Sequence, residues 1–173
     1  MARGAKDPSQ RRPDIRPQSS PSNLTQNFLQ MRRSPYTPYG PYNQWTQFED
    51  FPSFMENVVE VRQIDDSHVH WHAEIGGKHK EWDTEIVEQI PDRRIAWRTT
   101  AGPENHGIVS FEPVGGDRTR VSVDIEYQPE TTMEKVGGML GMVSSNVDED
   151  LENFRDFLES RGHETGAWRG EIH

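Results

Sequence analysis

The sequence predicts an α+β fold, a curved antiparallel sheet of six to seven strands wrapped around one long C-terminal helix, with two short helices after the first strand position. Three observations carry this. Between Val58 and Tyr127, segments of alternating apolar and polar residues are separated by short turn sequences, as in an antiparallel meander. From about Thr132 to Ser160 apolar residues recur instead at three- and four-residue steps, the period of an amphipathic helix. The run Trp45 to Met55, WTQFEDFPSFM, gathers aromatic residues around a proline, which suits short helical turns better than a strand.

Taken in order, residues 1–41 are rich in Pro, Ser, Gln and Arg with isolated apolar residues at Ile15, Leu24, Phe28 and Leu29. Such a composition buries too little surface to offset ordering entropy, so a disordered basic tail is expected there. Asn43 to Asp50 and Phe51 to Glu56 read as the two short helices, broken at Pro52, with Trp45, Phe48, Phe51, Phe54 and Met55 as the buried set. Val58 to Ile64 and His68 to Ile75 flank the polar turn Asp65-Asp66-Ser67. Lys78 to Ile90 follows Gly76-Gly77, a two-residue hairpin signal. Arg94 to Thr99 follows Pro91-Asp92, Gly107 to Val114 follows a Gly/Pro/Asn loop, and Thr119 to Tyr127 follows Gly115-Gly116-Asp117.

In the last helix Met133, Val136, Leu140, Val143, Val147, Leu151, Phe154 and Leu158 make the buried face, and Gly162 is placed to stop it. Asp148, Glu149, Glu152, Arg155, Asp156 and Glu159 take the other face. Residues 42–162 thus form one domain. Residues 163–173 form a charged, turn-like tail whose Trp168 is expected to dock on the domain surface.

The charge is split along the chain. Residues 1–40 hold 7 Lys+Arg against 2 Asp+Glu, whereas residues 41–173 carry a net charge of -15. An acidic domain repels phosphate backbones and anionic lipid surfaces, so nucleic-acid binding is not expected, and the longest apolar runs are far too short to span a bilayer, so neither is stable membrane insertion. The 173 residues include no cysteine, which excludes disulfides, thiol nucleophiles and thiolate metal sites. Arg3 and Lys6 are not followed by an apolar segment, so no secretory signal is expected and a cytoplasmic location is the default.

Four stretches, WTQFEDFPSFM (45–55), GGKHKEWDTEI (76–86), PDRRIAW (91–97) and RGHETGAWRGEI (161–172), resemble the polyketide cyclase/dehydrase and lipid-transport branch of the START-like (SRPBCC) superfamily, which includes coenzyme-Q-binding members. The resemblance implies a helix-grip fold around a deep apolar pocket. It also implies a strand just before the first helix, where this chain has the proline-rich Pro35-Tyr36-Thr37-Pro38-Tyr39-Gly40-Pro41, a poor ladder strand. Read from the third base of the Pro35 codon, the same nucleotides encode an alternating, strand-like run. Residues 1–41 are therefore either a divergent tail or a segment out of frame with the rest. On the second reading the sheet lacks a strand and leaves an edge open.

Trp71, Trp82 and Trp97 fall on successive strands, in phase with apolar neighbours, and by periodicity alone are core. The resemblance implies that this inward set lines a ligand cavity. Large aromatics with an orienting N–H or O–H suit such a wall. The implied binding residues are Trp71, Trp82, Trp97, Phe111 and Tyr127, with Met139, Leu140 and Val143 of the helix as a lid, for a hydrophobic ligand such as a lipid, isoprenoid quinone or polyketide-like compound. No cofactor is implied. A carrier or sequestering role, a polyketide cyclase/dehydratase and a pocketless accessory protein are the competing readings.

For catalysis Asp83, Glu85, Arg98, His106 and Tyr127 are conceivable acids or bases, but none sits in a recognisable motif and no catalytic set is assigned. Strand parity turns Asp83, Glu85 and Arg98 away from the core, while His106 is read as part of a loop near the cavity mouth. His68, His70 and His72 share one face about 7 Å apart. Opposite them lie Val69, Trp71, Ala73 and Ile75, so the imidazoles read as a solvated face rather than a metal site.

Overall fold

The computed structural model describes residues 24–32, 40–102, 104–127 and 139–173, with side chains over 40–102, 104–126 and 146–173. Its strands are β1 (Leu24–Arg32), β2 (Val58–Gln63), β3 (His68–Ile75), β4 (Lys78–Ile90), β5 (Arg94–Ala101), β6 (Asn105–Pro113) and β7 (Arg118–Tyr127). They form one antiparallel sheet in the order β1-β7-β6-β5-β4-β3-β2. Helix α1 (Gly40–Trp45) and a 3-10 helix (Phe48–Ser53) precede β2, and the long helix α2 (Met139–Arg161) follows β7. Among the described residues, no helix is long and apolar enough to cross a membrane.

The meander follows from local chemistry. Gly76 and Gly77 both adopt positive φ, 60° and 74°, the backbone that a two-residue hairpin matched to strand twist requires. In the turn before β3, the Asp65 carboxylate accepts the Ser67 and His68 N–H groups, each at 2.8 Å. At the far end, Gly162 donates its N–H to the Leu158 carbonyl at 3.0 Å, ending α2. The short helices begin earlier than their periodicity implies. Pro41 is tolerated in the first turn of α1, and the chain breaks at Thr46-Gln47 instead of at Pro52, which lies inside the 3-10 helix.

Strand β1 corrects the expectation of disorder through residue 41. It pairs with β7 from Leu24↔Glu126 to Arg32↔Arg118, so the edge expected to be open on the out-of-frame reading is covered. The strand lies upstream of the prolines. An edge position needs backbone pairing on one side only, so LTQNFLQMR serves despite its weak alternation. Residues 33–39, which hold most of the proline run, residues 1–23 and the predicted first turns of α2 over 132–138 lie outside the described residues.

The core gathers on the inner face of the sheet under α2. Trp45 is its hub, meeting Phe51, Phe111 and Phe154 edge-on with ring centroids 5.4, 6.2 and 5.1 Å apart. Tyr42, Val61, Val69, Ile86, Ile95, Val109, Val121, Val123 and Leu151 complete the buried cluster. Phe48, Phe51 and Phe54 are buried as the sequence predicts, whereas Met55 is only half-buried.

The C-terminal residues are a strap, more deeply engaged than a surface-docked tail. Asn43, Gln44 and Thr46 of the first helical segment are buried polar side chains, and buried polar groups need partners. The strap supplies them. The Gln44 carbonyl accepts the Thr165 N–H (2.9 Å), Thr46 Oγ1 accepts the Trp168 N–H (2.9 Å), and Asn43 donates to Glu164 (2.9 Å). Arg169 forks onto Asp92 at 2.6 and 2.5 Å and lies over the Tyr42 ring, 5.4 Å from its centroid. Ile172 exchanges backbone hydrogen bonds of 2.9 and 3.0 Å with Gln89 in β4.

A chain ending at Gly162 is expected to melt lower by roughly 10 °C or more, since each stranded buried polar group costs about 1–3 kcal/mol. Calorimetry showing an unchanged transition would mean that the strap carries no stability. Removing residues 1–33 uncovers the β7 edge and is expected to cause concentration-dependent association. Light scattering showing the same mass as the full chain over a hundredfold dilution range would count against the β1–β7 pairing.

Candidate functional site

A cavity of about 160 Å³, open at one side, lies between the inner face of the sheet and α2. Strands β3, β4, β5 and β7 build one wall. Strand parity sends Val69 and Trp71, then Trp82, Thr84 and Ile86, then Ile95 and Trp97, then Val123 and Ile125 to the same side. Phe48, Phe51, Met55 and Val58 close one end, while Val147, Asp150 and Leu151 of α2 form the roof.

The indoles are held in place by the polar residues among them. Trp71 and Trp82 are cross-strand partners stacked at 6.0 Å and parallel within 1°. The Trp71 Nε1–H donates to Thr84 Oγ1 at 2.9 Å, and that hydroxyl points back to the Val69 carbonyl at 3.4 Å. The Trp97 Nε1–H donates to Asn105 Oδ1 at 3.3 Å, with Asn105 tied to Thr99 through its backbone. Gly107 makes room for the Trp97 ring. An added Cβ there would lie 2.7 Å from the ring and 2.6 Å from the Asp124 carbonyl oxygen.

The sequence-predicted residues therefore separate. Trp71, Trp82 and Trp97 line the cavity together. Phe111 does not, because it is buried against Tyr42 and Trp45 at the closed end of the sheet. Tyr127 ends β7 opposite Asn105. Its side chain and those of Met139, Leu140 and Val143 lie outside the described residues. His106 is not in a loop. It is the second residue of β6 and turns outward, 3.1 Å from the Glu126 carboxylate. Asp83 and Glu85 also face out, toward His70 (2.7 Å) and Arg98 (2.7 Å). His68, His70 and His72 share that outer face and meet Asp65, Asp83 and His79 respectively. Among the described residues, no group of three or more His, Asp or Glu side chains is arranged to hold a metal ion.

Asp150 is, with Thr84, Asn105 and Val147, among the lining residues that the sequence-predicted set did not include. It is the one titratable side chain in the cavity wall among the described residues. Burial raises its carboxyl from 3.8 to about 6, with Glu149 and Glu56 adding to the shift and a hydrogen bond from the Glu56 N–H (3.3 Å) opposing it. A signal was present in the spacing. Asp150 stands three residues after Val147 and four before Phe154, within the apolar stripe.

The sequence matches the family model for polyketide cyclase/dehydrase and lipid transport over residues 35–155. It is 48% identical over 120 residues to an uncharacterized 17.2 kDa protein of Streptomyces lincolnensis, covering 69% of this chain and 80% of that one. Among solved structures it resembles DR_A0006 of Deinococcus radiodurans (24% identity, TM-score 0.61, 80% of this chain and 98% of that one). It also resembles a START superfamily protein of Mycobacterium smegmatis (17%, 0.62, 78% and 98%) and the Zhui aromatase/cyclase of a Streptomyces species (13%, 0.64, 84% and 98%). At these identities the structural likeness is one of fold.

A carboxyl raised on folding binds more protons in the folded state between pH 3.8 and about 6, so stability falls as pH rises through that window. Allowing for partial solvent access, the loss at neutral pH is about 1–2 kcal/mol. Asp150→Asn is expected to flatten this slope and to melt a few degrees higher than wild type at pH 7.5. Identical pH–stability curves for the two proteins would show that Asp150 is not desolvated.

Proposed function

The chain belongs to the polyketide cyclase/dehydrase and lipid transport family, whose START-like fold it shares, and on that premise we propose that it is a cytoplasmic carrier or sequestering protein that binds a hydrophobic small molecule between the sheet and α2. The observation that carries this reading is the cavity itself. Close packing normally leaves few voids larger than a water molecule in a protein interior. Here four indoles, those of Trp45, Trp71, Trp82 and Trp97, and several aliphatic side chains surround about 160 Å³ of space. Burying an apolar ligand against such a wall yields roughly 25 cal/mol for each Å² removed from water.

The size of the space narrows the occupant. An engineered apolar cavity of about 150 Å³ accepts benzene, so the space bounded by the described residues suits a molecule of about one ring. A long isoprenoid tail, as in coenzyme Q, needs more room than these walls enclose and would have to extend through the open side. The cyclase reading draws less support. Of the acids and bases read from the sequence, Asp83, Glu85, Arg98 and His106 face away from the cavity. Acid–base chemistry would then rest on Asp150 with no second titratable partner among the described lining residues.

The test is to fill the space from the roof. Val147→Phe puts a ring where a ligand would lie and is expected to abolish binding of a small aromatic probe such as p-xylene, read by calorimetry. The melting temperature should stay within a few degrees of wild type, because the ring enters a void instead of a packed site. Trp82→Ala and Trp97→Ala are expected to weaken the same binding, at a stability cost below the about 3–5 kcal/mol of a fully packed aromatic. Failure of wild type to bind any small aromatic probe would overturn the reading.

A further inference from the structure

We propose that Asp150 selects the ligand, so that the cavity takes a compact apolar molecule carrying a neutral or cationic hydrogen-bond donor, such as an alcohol, phenol or amine, and rejects carboxylates and phosphates. The inference rests on the carrier reading above and assigns a chemical class to its occupant. It follows from the side-chain oxygen acceptors in the wall. Thr84 Oγ1 is taken by the Trp71 indole and the Val69 carbonyl, and Asn105 Oδ1 by the Trp97 indole. Asp150 Oδ1 accepts the Glu56 N–H, while its other oxygen has no hydrogen-bond partner among the described residues.

That oxygen is the acceptor left for a ligand. Asp150 is half-buried among apolar lining side chains, where a hydrogen bond to its carboxylate is stronger than in bulk water. The same geometry is hostile to anions. A bound carboxylate would meet Asp150 with Glu149 beside it on α2 and Glu56 just beyond the 3-10 helix, and among the described residues no lining side chain is a cation.

The experiment uses three molecules of one shape, p-xylene, p-cresol and p-toluate, titrated by calorimetry into wild type, Asp150→Asn and Asp150→Leu at pH 7.5 and pH 5. In wild type at pH 7.5 p-toluate is expected not to bind measurably. The cresol-to-xylene affinity ratio should fall about tenfold in Asp150→Leu, the scale of a lost hydrogen bond to a charged group. Binding of p-toluate should appear at pH 5 and in Asp150→Asn at pH 7.5, where the carboxylate is neutralised or absent. Asp150→Asn keeps the side-chain shape and supplies the answer if the leucine variant folds poorly. A ratio constant within twofold across the proteins, with p-toluate binding indifferent to pH and substitution, would overturn the selection by Asp150 while leaving the cavity reading intact. Absence of p-xylene binding in all three proteins would overturn both.

Discussion

Three buried polar side chains, Asn43, Gln44 and Thr46, set the condition on which the rest of this structure depends. Asn43 and Gln44 lie between Tyr42 and Trp45, two of the rings that anchor the core, and Thr46 follows directly, so they cannot turn to water without pulling those rings out. Their partners come from more than a hundred residues away, as Glu164, Thr165, Trp168 and Arg169. Local bonds, from Gln44 to Asp50 and from Thr46 to the Asn43 carbonyl, hold part of the first helical segment, and the strap completes the rest. Since the 3-10 helix follows directly and carries Phe48 and Phe51 to the cavity, the cavity's end wall inherits its position from the C-terminus.

The inner face of the sheet shows how one alternating pattern yields both a core and a site. In cross-strand rows, Phe111 and Val121 lie toward one end, Ile95, Val109 and Val123 in the middle, and Trp97, Gly107 and Ile125 toward the other. The first row is covered by Tyr42 and Trp45, which meet Phe111 edge-on. Beyond them the helical plug ends and space remains. Trp97 can lie flat against the sheet because residue 107 has no side chain, and its N–H is tied to Asn105. An aromatic is thus held at the wall by local groups instead of being drawn into the void.

These distinctions explain what was legible in the sequence. Most strand boundaries were, because glycine pairs mark the β3–β4 and β6–β7 reversals, an Asx turn marks β2–β3, Pro91-Asp92 marks β4–β5, and alternation persists through most of each strand despite irregularities in β2 and β4. Parity then placed Trp71, Trp82 and Trp97 inside and Asp83, Glu85 and Arg98 outside. Phe111 was misjudged because alternation assigns a face but not a position along the strand relative to the plug. His106 was misjudged because Gly102 and Pro103 suggested a longer loop than the chain uses before β6. Strand β1 escaped because an edge strand can be specified by backbone pairing alone, and the strap because its partners are polar and its own residues carry no periodic signal.

Asp150 is the residue whose presence packing does not explain. It stands in the apolar stripe of α2 between Val147 and Phe154, where a leucine would bury more surface at no electrostatic cost. Its carboxyl is raised by burial, which means that at neutral pH its charge opposes folding. The Glu56 N–H offsets part of that opposition, but it leaves the second oxygen without a hydrogen-bond partner among the described residues. A group that lowers stability in the unliganded protein and lines the cavity gains compensation when something enters that space and donates to it. On this argument the instability and the specificity belong to one feature, and the cavity is incomplete as a piece of folded protein until it is occupied.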